Sequence, residues 1–173
     1  MTGCSSSANS VSLYGGVVHV ESGTARILNC TFGKGYYLRN NSAGDSGGAI
    51  FAAGGDIAVL NSTITANAAA LSRGGYGGGP AIDAAGSAIC RVGNTIIAGN
   101  TAMTGERGAE IAGAFVSLGH NLIGEAEGGT GYAPTDLLGS LDTPLLPLIS
   151  LSIDDGGGPA SPDLTYIPYP AAR

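Results

Sequence analysis

The sequence predicts an all-β solenoid. The expected form is a right-handed, single-stranded parallel β-helix of about four rungs with an irregular, Pro-rich C-terminal cap. Three observations carry this. First, a unit opening on Gly-Gly and closing on Asn recurs at offsets of 32 and 33 residues, a spacing typical of solenoids when the unit holds short strands and Gly turns. Second, glycine supplies 31 of 173 residues without a collagen period, far above its usual share. A helical domain would not tolerate this, because Gly costs about 1 kcal/mol relative to Ala in a helix interior. Third, 43% of residues are hydrophobic and only 12% are charged. That is too apolar for a disordered chain and suits a fold that turns often and buries most of its side chains.

Residues 1–14 read as the tail of an earlier repeat, so the chain is expected to begin in mid-coil. Four units follow, at 15–46, 47–78, 79–108 and 109–133. The central one reads Gly-Gly-Ala-Ile-Phe-Ala-Ala-Gly-Gly-Asp-Ile-Ala-Val-Leu-Asn-Ser-Thr-Ile-Thr-Ala-Asn from Gly47 to Asn67. Aligning the units gives columns Val18/Ile50/Ile82, Ile27/Val59/Val92 and Phe32/Ile64/Ile97. Rungs of a parallel sheet lie about 4.8 Å apart, so these residues are expected to stack. Asn29, Asn61 and Asn94 form a further column. Asn tolerates the left-handed conformation that a corner needs, and stacked Asn side chains pass hydrogen bonds from rung to rung. Asn121 lies 27 residues after Asn94 and is expected to continue this structural ladder. The fourth unit is the shortest.

Seven of the eight prolines lie after residue 133. Proline cannot donate to a strand ladder, so 134–173 is expected to be an irregular cap over the last rung, and 1–133 the coiled region.

A net charge of −6 argues against nucleic acid or an anionic membrane as partner, since both need a basic face. No apolar run approaches the length of a membrane span. Cys4, Cys30 and Cys90 form no metal-ligand spacing; one bridge is open to them, and free buried thiols are expected.

Asp45, Asp56, Asp83, Glu106 and Glu110 are scattered along the chain. Asp83 falls in the column of His19 and Phe51, so no stack of carboxylates forms to hold a hard cation. Neither His19 nor His120 has the surroundings of a nucleophilic triad. No catalytic residue, metal ligand or cofactor is assigned. The inter-unit segments 33–46 and 68–78 are expected to leave the coil on one side, where solenoids often bind. They carry Tyr36, Tyr37 and Tyr76, suited to stacking on sugar rings, with Asp45 and Arg73 as a neighbouring ion pair.

Gly47-Gly48-Ala49-Ile50 followed by Ile64-Thr65-Ala66-Asn67 resembles the GGAI…FxxN repeat of bacterial polymorphic outer-membrane and autotransporter-type surface proteins. The stretches Asn94–Ala102 and Ser117–Gly124 are similar to the C-terminal part of right-handed β-helix proteins with a choice-of-anchor surface domain, a pectin-lyase-like fold. Two positions depart from the pattern: Phe32-Gly33-Lys34-Gly35 lacks the Asn, and Pro80 replaces a Gly. The resemblance implies a structural or adhesive module of an extracellular or cell-surface bacterial protein, with carbohydrate or another surface protein as partner. Two alternatives stay open: a polysaccharide lyase or hydrolase with a groove lined by Asp45, Asp83 and Arg73, and a unit that self-associates end to end through its open N-terminal rung.

Overall fold

The computed structural model describes residues 1–35, 40–70, 80–102, 110–146 and 152–153. They form a parallel β-helix: every pairing between described strands runs parallel, and along the coil the partners come from successive repeats. No helix occurs among the described residues.

Each coil has four faces. The first holds Val18–Val20, Ile50–Ala52 and Ile82–Ala84, and the second Thr24–Leu28, Asp56–Leu60 and Ile89–Gly93. The third runs from Ser5–Ser6 through Thr31–Phe32, Thr63–Thr65, Ile96–Ala98 and Leu122–Ile123 to Leu137–Leu138. The fourth stacks Ser10–Val11, Ser42–Ala43, Ala68–Ala69 and Thr101–Ala102.

Alternation sets what each strand buries. In Asp56–Leu60, Ile57 and Val59 point inward and have no exposed surface, whereas Asp56, Ala58 and Leu60 point out. Register then stacks like on like: Val18, Ile50, Ile82 and Ile111 on one face, Ile27, Val59 and Val92 on the next, Phe32, Ile64, Ile97 and Ile123 on the third. Each such aliphatic side chain contributes about 1.5–3 kcal/mol on burial. The Gly-Gly that opens the first two repeats is required where rungs touch. A Cβ on Gly16 would strike the carbonyl oxygen of Gly48, and one on Gly48 would meet that of Ala68.

The constant period conceals a shifting insertion. In the first coil the extra residues lie between Phe32 and the fourth-face strand Ser42–Ala43. In the second they lie after Ala68–Ala69, before Pro80. The fourth coil is short because one strand, Ile111–Ser117, serves two faces. Its first half pairs with Ile82–Ala84 and its second with Ile89–Gly93. Gly113, at φ 87°, makes the turn for which the coil before uses the four residues 85–88 between its two strands.

Two expectations need correction. Asn121 does not continue the Asn29/Asn61/Asn94 column. Ile96 pairs with Leu122, so Thr95 lies over Asn121 and Asn94 over His120. The shortened fourth coil sets this offset at 26 residues, one less than the count from Asn94 assumed. The coil also extends past residue 133: Leu137–Leu138 pairs in register with Leu122–Ile123, because Pro134 and Pro144 flank that strand and do not interrupt it. Farther on, Ser152–Ile153 returns to pair with Lys34–Gly35.

Candidate functional site

The corner between the second and third faces carries two adjacent polar columns. The outer one is Asn29, Asn61, Asn94, His120 and Thr135. Asn29, Asn61, Asn94 and His120 all have positive φ, at 54°, 50°, 48° and 60°, the left-handed conformation that Asn and His tolerate better than other side chains. This turns the chain sharply between two strands and leaves the side chains exposed. The Asn94 amide nitrogen donates to Asn61 Oδ1 at 2.9 Å. His120 N–H donates to Thr135 Oγ1 at 3.3 Å.

The next residue of each coil forms the inner column: Cys30, Ser62, Thr95, Asn121 and Asp136. It obeys one rule, in which the backbone N–H of each member donates to a side-chain oxygen one coil further on. Cys30 donates to Ser62 Oγ (3.1 Å), Ser62 to Thr95 Oγ1 (3.3 Å), Thr95 to Asn121 Oδ1 (3.1 Å) and Asn121 to Asp136 Oδ1 (3.0 Å). Asp136 ends the series. Burial raises its pKa, but donors from Ser117, Ala133 and Asn121 outweigh that and hold its carboxyl below the ordinary value.

Beside the outer column, over the third face, lies a groove of about 520 Å³. Its floor comes from the outward residues Thr63, Ile96, Leu122 and Leu137, which follow each other in register. Its polar wall is Asn61, Asn94, His120 and Thr135. Among the described residues no Asp, Glu, Lys or Arg lines it, and Leu137 is 62% exposed.

A buried amide ladder runs along the opposite corner, between the third and fourth faces. Asn9 Nδ2 donates to Asn41 Oδ1 (2.8 Å), Asn41 Nδ2 to Asn67 Oδ1 (2.8 Å), Asn67 Nδ2 to Asn100 Oδ1 (2.9 Å) and Asn100 Nδ2 to Glu110 Oε2 (2.6 Å). Asn41 and Asn67 are wholly buried and Asn100 nearly so. Glu110 occupies the column of Val17, Ala49 and Ala81, where its carboxyl lies inside the coil. Burial raises its pKa to about 8, with the charge of the neighbouring buried Glu125 adding to the rise against the amide donor of Asn100. The sequence signal for this ladder was the Asn three residues after Ile64 and after Ile97. In the first coil Asn41 fills the place, hidden behind the insertion that follows Phe32, so the departure read at Phe32-Gly33-Lys34-Gly35 is only apparent.

Tyr36, Tyr37, Tyr76 and Arg73 lie outside the described residues. Asp45 is described: its N–H donates to the Leu13 carbonyl. Its neighbour Ser46 donates to Asp83 Oδ2 at 2.5 Å, and Asp83 is buried. Asp56 accepts from Arg91 on the second face. All three cysteines are free, with Cys4 exposed and Cys30 and Cys90 buried. Burial and the Asp56 charge push the Cys90 thiol up to about 12, which suppresses the reactive thiolate. Among the described residues, no group of three or more His, Cys, Asp or Glu is placed to hold a metal ion.

No family model matches this chain, and no curated protein or solved structure shows significant similarity to it.

Proposed function

We propose that the chain is a non-enzymatic scaffold, a structural or adhesive β-helix module of a bacterial secreted or cell-surface protein. One observation carries this reading. The interior polar groups are joined into two columns that run through successive coils, from Asn9 to Glu110 and from Cys30 to Asp136. Such columns fix the rungs against each other and suit a stiff spacer. Five carboxylates of the described coil are also bonded within the fold: Asp136 and Glu110 end columns, Asp83 accepts from Ser46, Asp56 pairs with Arg91 and Glu21 with His19. An acid–base pair needs carboxyls aimed at a substrate.

The test is incubation of the purified chain with neutral and acidic polysaccharides, with and without Ca²⁺, following new reducing ends and unsaturated uronate products. The reading expects no release above a boiled control. Turnover proportional to protein concentration would overturn it in favour of a lyase or hydrolase.

A further inference from the structure

The groove at the exposed asparagine corner is not explained by folding. The Asn94–Asn61 bond uses one amide proton and one oxygen. An amide side chain offers two donors and an oxygen acceptor, so both residues keep free capacity facing solvent. Beside them Ile96, Leu122 and the 62% exposed Leu137 form an apolar strip in the same groove. Building on the scaffold reading above, we propose that this groove binds an uncharged, linear glycan laid along the coil axis. Its hydroxyls meet Asn61, Asn94 and His120, and its apolar ring faces lie on Ile96, Leu122 and Leu137.

Three arguments select this ligand class. Among the described residues the lining carries no Asp, Glu, Lys or Arg, so a uronate polymer, a nucleic acid or a phosphorylated ligand finds no Lys or Arg to neutralise it. The floor is a sheet face whose backbone groups are already exchanged between rungs from Thr63–Thr65 to Leu137–Leu138. A peptide strand added there would find none of the main-chain partners that strand addition requires. Finally, the polar wall recurs once per rung, about every 4.8 Å, on the scale of a single sugar ring. A polymer of like units can therefore repeat its contacts along the axis. The volume, about 520 Å³, is that of an ordinary small-ligand site.

The experiment is calorimetric titration of the full chain with hexamers of β-1,4-linked glucose, β-1,4-linked N-acetylglucosamine and β-1,4-linked mannose. A galacturonate hexamer and a neutral peptide of similar length serve as competitors. Asn94→Gly removes the amide while keeping a residue at ease with positive φ, Leu137→Ser removes the apolar end of the floor, and Arg26→Ala alters a separate face. The expected result is binding of a neutral hexamer, weakened about tenfold or more by Asn94→Gly and by Leu137→Ser and unchanged by Arg26→Ala. Circular dichroism of each variant establishes that the fold is intact. The inference is overturned if no neutral hexamer binds, if the uronate or the peptide binds in preference, or if both groove variants bind as the parent does. Those results leave the scaffold reading in place. Cleavage of a hexamer that is bound through the groove would do the reverse, supporting the groove and sinking the non-enzymatic reading.

Discussion

Asparagine serves two purposes in this chain, and backbone conformation separates them. Asn29, Asn61 and Asn94 are exposed and left-handed, whereas Asn41, Asn67 and Asn100 are buried and pass hydrogen bonds from coil to coil. The two kinds should respond differently to substitution. Asn67→Ala strands the Asn41 donor and the carbonyls of Phe32 and Thr65. It should cost about 2–4 kcal/mol in urea denaturation. Asn61→Ala should cost about 1 kcal/mol, because Ala lacks the short polar side chain whose local hydrogen bonding lets Asn hold the left-handed conformation, and Asn61→Gly only a few tenths. Equal losses for Asn67→Ala and Asn61→Gly would contradict the distinction. The exposed column was legible in the sequence from Asn29 to Asn94, where successive corner residues lie 32 and 33 apart. The buried one was legible only in part, since the insertion before Asn41 breaks its spacing.

Glu110 gives stability an unusual pH dependence. Its folded pKa is about 8 against an ordinary 4.5. Between those values the folded chain holds a proton that the unfolded chain releases, so stability must fall as pH rises. The contribution is complete below about pH 4.5, is lost at up to about 1.4 kcal/mol per pH unit through the window, and is flat above pH 8. Asp136 acts oppositely. Its carboxyl is held below the ordinary value, so its contribution is present near neutrality and lost as pH falls through that lowered pKa. Maximum stability is expected on the acid side of neutral. Thermal denaturation from pH 4 to pH 9 checks this, and Glu110→Gln should flatten the alkaline limb. An unchanged slope in that variant would show that another group is responsible.

At the scale of elements, the last described strand of the third face depends on the end of the inner column. Asp136 Oδ1 accepts from the N–H and amide of Asn121, and Oδ2 accepts from Ala133 N–H. These bonds seat Leu137–Leu138, whose flanking amides donate to Asn121 and Ile123 carbonyls. Asp136→Ala should raise hydrogen exchange at Leu137 and Gly139 about tenfold or more, leaving Val59 and Val92 protected, because end strands open locally before the core does. Exchange that accelerates equally along the whole chain would contradict a local latch. This strand was not legible from the sequence. Pro134 and Pro144 suggested irregular cover, yet both lie outside the paired residues. The register error at Asn121 has the same kind of origin. A fourth coil that merges two faces in Ile111–Ser117 has no marker in a repeat count except its brevity, and a one-residue slip moves every side chain to the other face.

For the whole molecule, stability accumulates coil by coil, as in other repeat folds where each unit touches only its neighbours. The fold class was readable because the same physics repeats. Gly16 and Gly48 recur where rungs touch, and Ile57 and Val59 alternate as an inward strand must. The groove was less readable. It is built from residues unremarkable one by one, Asn94, Leu122 and Leu137, which lie together only once the coil offsets of 33 and 26 are known. The central claim is that buried amides are joined through the coils in one ladder while the corner amides stay open to water. The most direct measurement is solvent exchange of asparagine side-chain amides by ¹⁵N NMR after transfer to D₂O. The account predicts that the amide protons of Asn41, Asn67 and Asn100 persist together, while those of Asn29, Asn61 and Asn94 are lost at once. Exchange of all six at the same rate would contradict it.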